Sequence, residues 1–392
     1  MAEYIFYTND DFITNRVTGG TRRFIELVEG LVNKAHRVHL FIPGWASFPY
    51  HPNLVRHPVK RKESRFLPNG LLNFLSNYPQ LRRIRKMKQA RPVFVSIPYA
   101  LQAALAGIKG STLIVWEDFV GYRKIAMESK GVPGFLMPPF IFLWRWMERF
   151  TLLRVDRIVV QCRYDKQLLL RRHAYYVPRL SKRITVLRNN VNPSWIKQMD
   201  YLRVPSVPVR ADRQSSPAYQ PPFQMGFIGN LDDKRKGLHL LLRAYARLFA
   251  EGRDVLLHVI GDGRCGRTYR RQYRDYPGII FHGHLHRPMQ RLAALDMLVV
   301  PSLSDSFPNT VMEALYLGIP VLGSRKGGIP EMLYYEDLLF EPRVEALYFK
   351  LKWAMQGQHL GTIRDLCSRR RKSLEFDWVG AMQRVLGSSK AT

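Results

Sequence analysis

Cysteine is scarce. Cys162, Cys265 and Cys367 are the only three in 392 residues, too few and too scattered for a disulfide framework or a zinc site, which points to a reducing compartment with the cytosol as default. Long apolar runs are lacking too. The most apolar stretch, Phe135 to Trp146, contains Pro138, Pro139 and Arg145 and is well short of the roughly 20 residues that span a bilayer, so no transmembrane helix is expected. The opening Met-Ala-Glu-Tyr-Ile-Phe-Tyr lacks a basic segment followed by an apolar stretch and a small-residue cleavage site, which argues against a signal peptide. Acidic residues are the third shortage: 31 Asp+Glu against 61 Lys+Arg leave a net charge of +30. A surface that basic attracts anionic polymers or anionic lipid faces, and the excess is concentrated in the first 200 residues.

Hydrophobic residues make up 46% of the chain, enough for a fully folded protein, and 392 residues suit two α/β cores better than one. A short apolar strand over residues 3 to 8 is followed by a loop through Gly19-Gly20. Phe24, Leu27, Val28 and Leu31 then recur at helical spacing before a second strand, Val38 to Ile42. Apolar runs at Val93 to Ile97, Thr112 to Trp116, Arg157 to Gln161 and Ile184 to Leu187 read as further parallel strands, so the first half is a doubly wound sheet. Residues 203–222 are rich in Pro, Ser and Arg, cannot continue a helix or a central strand, and mark an interdomain linker. Alternation then restarts, with strands at Phe223 to Gly229, Leu256 to Gly261, Met297 to Pro301 and Val321 to Ser324, and a helix at Leu238 to Ala250. The expected organisation is a domain over 1–202, the linker, a second domain over 223–372 and a closing helix over 373–392.

The densest chemical signal lies between Leu298 and Gly323. A buried strand stops at Pro301, a polar loop follows, and a helix begins near Pro308, since proline suits the first helical position. Ser306, Phe307, Pro308, Asn309 and Thr310 would then sit at the strand's carboxyl end, where α/β sheets bind ligands and where helix-start amides favour phosphate. Asp305 lies just before the helix and Glu313 one to two turns inside it. Both could accept hydrogen bonds from a polyhydroxylated ligand; spacing alone equally allows a dipole partner and a solvated helix face.

The stretch S-D-S-F-P-N-T-V-M-E-A-L-Y-L-G-I-P-V-L-G-S-R-K-G-G-I-P-E, from Ser304 to Glu331, resembles the donor-binding signature of the family-4 retaining glycosyltransferases. The resemblance implies an α/β protein of the GT-B fold: two Rossmann-like, doubly wound domains facing a central cleft, with the C-terminal helix crossing back to the N-terminal domain. It implies transfer of a sugar from a nucleoside-diphosphate donor with retention of configuration. Glu313 is thereby assigned to the ribose hydroxyls, and Asp305 stands where the family usually has a Glu contacting the transferred sugar. Met225 to Gly237, M-G-F-I-G-N-L-D-D-K-R-K-G, is similar to the family's strand, Gly-Arg-Leu turn and Lys-Gly segment. Lys236 matches the lysine that holds the diphosphate; Asn230, after Gly229, replaces the turn arginine and leaves Arg235 as the candidate second cation.

The same resemblance places the base near Gly283 and the donor phosphates near Gly19 and Gly20, whose lack of side chains lets backbone approach. Where family members often carry a His facing the reaction centre, this chain has Trp116-Glu-Asp-Phe119, so Glu117 and Asp118 are the candidates to position the acceptor. His282 and His284 have no Cys or carboxylate at ligand spacing and read as loop histidines. No metal and no cofactor beyond the nucleotide-sugar donor is expected, and without an Asp-x-Asp for a metal-bound diphosphate, cations and helix starts must neutralise the leaving group.

Residues 56–91 hold eleven Lys or Arg and one acid, Glu63, interleaved with Phe66, Leu67, Leu71, Leu72, Phe74, Leu75, Tyr78 and Leu81. Basic residues beside an apolar face describe a segment lying on an anionic membrane, with Pro133 to Phe150 as a second contact. A peripheral enzyme on the cytoplasmic membrane face, acting on a lipid-linked or cell-surface polysaccharide acceptor, is the first reading. The second is a glycosyltransferase of nucleic acid, which needs the same positive field. Rivals from other classes are a GT-B sugar-nucleotide epimerase and a non-catalytic sugar-nucleotide-binding module.

Overall fold

Apolar alternation in β1 (Glu3–Tyr7) sends Tyr4 and Phe6 to one face and Ile5 and Tyr7 to the other, each at most 1% exposed. Both faces of the sheet are therefore covered, as a parallel sheet flanked by helices requires. The computed structural model describes residues 1–8, 19–44, 48, 50–62, 69–116, 118–129, 131–191, 222–285 and 288–387. The described chain forms two units, Met1–Arg188 with Asp377–Thr392, and Asn189–Phe376. Apart from Pro222, the proline-rich segment read as a linker lies outside the described residues.

The first unit continues through α1 (Gly19–Asn33), β2 (Arg37–Pro43), β3 (Leu54–Val59), α2 (Asn69–Lys86), β4 (Arg91–Val95), α3 (Ile97–Leu105), β5 (Thr112–Val115), α4 (Phe119–Ser129), α5 (Met137–Arg154), β6 (Arg157–Val160), α6 (Arg163–Arg172), α7 (Val177–Ser181) and β7 (Ile184–Val186). Its seven strands are all parallel in the order β3-β2-β1-β4-β5-β6-β7. Phe24, Leu27, Val28 and Leu31 of α1 are buried under β1 and β2, together with Trp378, Met382 and Leu386 of the last helix, Trp378–Gly387. That helix fits against α1 because Gly30 carries no side chain; a Cβ there would stand 2.6 Å from Val379 Cγ2. Lys34 Nζ reaches Asp377 at 2.7 Å, and Arg91 and Arg157 both donate to the Leu386 carbonyl.

The second unit has six parallel strands in the order β10-β9-β8-β11-β12-β13: β8 (Phe223–Ile228), β9 (Val255–Ile260), β10 (Ile279–Gly283), β11 (Met297–Val300), β12 (Val321–Ser324) and β13 (Leu339–Phe340). Strand order reverses between β8 and β11, and the crevice beyond their carboxyl ends is where such sheets take ligands.

Two features differ from the sequence expectations. Residues 56–91 do not form one interfacial segment: their start belongs to β3, an edge strand that tolerates Pro58, and Leu81 and Ile84 are in the core. Asn73 and Asn77 of α2 are buried and clamp the backbone of Lys62 and Lys60 through their side-chain amides. Leu71, Leu75 and Tyr78 remain exposed, as do Arg82, Arg83, Arg85, Lys86 and Lys88; Phe66 and Leu67 lie outside the described residues. His282, read as a loop residue, is on β10. Its ring stacks on His258 with centroids 5.1 Å apart and a nitrogen contact of 2.9 Å, matched in the first unit by His39 on His57 at 5.3 Å and 3.0 Å.

Candidate functional site

At the end of β8 the chain turns through glycines that permit close backbone approach. Gly229 N–H donates to the Ile260 carbonyl at 3.0 Å and Gly261 N–H to the Gly283 carbonyl at 2.9 Å. A Cβ on Gly261, whose φ is 136°, would lie 1.9 Å from Gly229 O, so only glycine fits there. The ends of β8, β9 and β10 are thus tied edge to edge.

Asn230 Oδ1 accepts from Asp232 N–H at 2.9 Å, and Asp232 Oδ1 accepts from Cys265 N–H at 2.7 Å at the start of the helix Cys265–Gln272. That amide, ahead of smaller contributions, holds the Asp232 carboxyl below its usual range. A 3-10 turn, Lys234–Lys236, follows, capped by Asp233 Oδ1, which accepts from Arg235 N–H. Gly237 ends the turn at φ 70°, packed so tightly that a Cβ would meet Pro301 O at 2.0 Å. Leu303 N–H also donates to the Arg235 carbonyl at 2.6 Å. The basic turn after β8 is therefore fixed to the loop after β11, across the point where strand order reverses.

Lys236 Nζ meets Asp305 Oδ2 at 2.6 Å, joining two residues 69 positions apart. Arg235 takes a different course, forming a two-point pair with Asp233 through Nε at 3.0 Å and Nη2 at 2.9 Å. Asp305 is itself braced from behind: its carbonyl accepts from Gly328 N–H at 2.8 Å, and Gly327, at φ 63°, would place a Cβ 2.1 Å from that carbonyl. Pro308 is the cap rather than the first residue of the helix Asn309–Tyr316, with Phe307 buried behind it. Glu313 is 4% exposed, which removes the solvated-face reading. Ser306 and Thr310 are half-buried at the helix start.

The sequence-derived residues of the second unit thus gather at one crevice: Lys236, Asp305, Gly229, Asn230, Gly283 and the helix start. Asp233 was not singled out, although an acid four residues before a glycine was the available signal; Gly261 and the Gly327-Gly328 turn fall within stretches that resemble the family but were given no role of their own. In the first unit, Gly19 and Gly20 open α1. Glu117 lies outside the described residues. Asp118 is engaged rather than open: its Oδ1 accepts from Arg172 Nη2 at 2.6 Å, while Arg172 Nη1 meets the fully buried Glu148 at 2.8 and 3.0 Å and His173 meets the same carboxylate at 2.9 Å. Among the described residues no cluster of three His, Cys, Asp or Glu could hold a metal ion.

The sequence pattern of Glycosyltransferase Family 4 matches residues 17–195, and that of Glycosyl transferases group 1 matches residues 222–356. A D-inositol 3-phosphate glycosyltransferase of Corynebacterium aurimucosum is 33% identical over 118 residues, covering 27% of this chain and 28% of its own. An N-acetyl-alpha-D-glucosaminyl L-malate synthase of Bacillus anthracis is 29% identical over 107 residues, 26% and 28% of the two chains. The chain spans less than half the length of the curated relatives it matches. Among solved structures, a sucrose-phosphate synthase from Thermosynechococcus elongatus superposes with a TM-score of 0.74 at 16% identity over 98% of both chains. Anabaena HepE in complex with UDP gives 0.66 at 15% identity, again over 98% of both. Two parallel α/β units and this whole-chain likeness define a protein of the GT-B glycosyltransferase fold. The chain belongs to glycosyltransferase family 4.

Proposed function

We propose that the protein transfers a sugar from a nucleoside-diphosphate donor to a hydroxyl of an acceptor presented at a membrane surface, with retention of configuration and without a metal ion. The observation that carries the donor half is the convergence of Lys236, Asp305 and the Asn309–Tyr316 helix start where strand order reverses in the second sheet. A cation and helix-start amides at one crevice suit a diphosphate, a carboxylate beside them suits sugar hydroxyls, and the buried Glu313 suits a ribose. HepE, by its description, binds UDP, which supports a nucleotide donor here. As the glycosidic bond to the donor breaks, negative charge grows on the departing diphosphate, and Lys236 and the helix start are the groups placed to stabilise it. Retention and metal independence rest on the family resemblance and on this cationic lining.

The membrane-surface acceptor is supported by the first unit. Phe135, Phe140, Phe142, Leu143 and Trp146 are exposed on and just before α5, and Leu71, Leu75 and Tyr78 on α2, with the basic run Arg82 to Lys88 on and after the same helix. Aromatic and aliphatic side chains beside exposed cations match an anionic lipid face. Among the described residues no helix is long and apolar enough to cross a membrane, so attachment by this surface is the reading we adopt. Reversing the charges at Arg82, Arg83 and Lys86 should release the protein from anionic vesicles, at about 1 kcal/mol per residue near the surface. Salt should mimic the substitutions, since such attraction is screened over about 10 Å at 0.1 M. Vesicle binding indifferent to both treatments would remove the membrane-surface acceptor.

A further inference from the structure

The Lys236–Asp305 contact has a property that neither residue's separate role predicts: the cation meant for the diphosphate is already neutralised. Both backbones are held. Gly327 and Gly328 pin the main chain of Asp305, while Gly237 against Pro301 O and Leu303 N–H on Arg235 O pin that of Lys236. The side chains are partly open, Lys236 30% and Asp305 14% exposed. Lysine has a long flexible stem and aspartate a single methylene, so the mobile member of the pair is the ammonium.

We infer that Asp305 is the resting counter-ion of Lys236 and that the donor enters by ion exchange: the diphosphate takes the ammonium, and hydroxyls of the sugar take the carboxylate. This rests on Lys236 being the diphosphate-binding cation. A nucleoside diphosphate without sugar removes the cation from Asp305 and offers nothing in return, leaving a half-shielded carboxylate close to the diphosphate. The sugar-bearing donor supplies hydroxyl donors at that place. The pair therefore makes the product a poorer ligand than the donor, which favours release of the spent nucleotide.

The exchange is tested by titration calorimetry with UDP, GDP and ADP and with UDP-glucose and GDP-mannose, on the wild-type chain, Asp305→Asn, Lys236→Met and the double variant. With whichever nucleotide the wild type binds, Asp305→Asn should bind the bare diphosphate about three- to tenfold more tightly, the range set by freeing one ion-paired lysine. The advantage of the sugar-bearing form should shrink in the same variant. In the Lys236→Met background the gain from Asp305→Asn should largely vanish, whereas simple repulsion between Asp305 and phosphate would give the same gain in both backgrounds and overturn the exchange. Unchanged or weaker diphosphate binding by a folded Asp305→Asn, with Lys236→Met weakened, would also overturn it while leaving the donor assignment standing. Diphosphate affinity untouched by Lys236→Met would overturn the assignment of the cation itself. Asp305→Ser repeats the measurement should the amide variant fail to fold.

Discussion

Glu313 shows how much a single residue's surroundings decide. Its place in an acid-x7-acid spacing left a ligand role and a solvated face equally open, and burial to 4% on the inner side of the Asn309–Tyr316 helix settles against solvent. A buried carboxylate is costly unless its oxygens are engaged. In the proposed site it also accepts from the ribose hydroxyls, so Glu313→Ala should weaken nucleotide binding by ~1.5–3 kcal/mol, the usual worth of a hydrogen bond to a charged group. The titration that follows Asp305 and Lys236 also reads this; unchanged affinity in a folded Glu313→Ala would sink the ribose assignment. Lys236 was singled out only through the resemblance of its Lys-Gly segment to the family's, and its partner was not singled out with it. No local pattern connects positions 69 apart, and the pairing exists only because two glycine-braced loops meet where strand order reverses.

Among the elements, those with strong alternation were read directly: β1, α1 and β2 carry clean apolar periodicity and both faces of the sheet are buried. The edge strand β3, Leu54–Val59, was not, since Arg56, His57 and Pro58 interrupt the pattern and only an edge position accommodates them. β10 was legible only as a strand end, and its histidine was misread because stacking on His258 depends on the neighbouring strand.

These stacked pairs tie the two outermost strands at one edge of each sheet. Burial pushes the His57 imidazole down to about 4, with Arg83 and His39 adding to the effect. His258 is likewise lowered to about 4, by burial first and then by His282 and Arg291. Both folded values lie below the ordinary 6.5, so between those limits the unfolded chain binds protons that the folded chain does not. This contribution to stability is complete above pH 6.5 and is lost as pH falls toward about 4. Thermal unfolding followed from about pH 7 to about pH 5 should show a falling midpoint, and His258→Asn should flatten the slope. An unaltered slope would mean that the pair does not titrate in this window.

For the whole molecule, the two-unit α/β architecture was legible from length and from the restart of strand-helix alternation after the proline-rich segment. The return of the last helix was legible only through family resemblance, because its docking depends on Gly30 of α1, far away in sequence. Charge was legible as a total and misleading in detail. Part of the basic 56–91 stretch is edge strand and core-facing helix, and more of the large apolar side chains exposed in the first unit's helices belong to α5 and the turn before it than to α2.

Binding and activation of a nucleotide sugar through Lys236, in the crevice at the end of β8 and β11, is the reading on which the proposed activity depends. It is tested most directly by incubating the protein with a panel of nucleotide sugars and measuring nucleoside diphosphate released by slow donor hydrolysis, with and without a chelator. Release is expected from at least one donor, insensitive to the chelator, with a fall of ~100-fold or more in Lys236→Ala, as for loss of a charge at a leaving group. Release that the chelator abolishes while Lys236→Ala retains wild-type activity would contradict it.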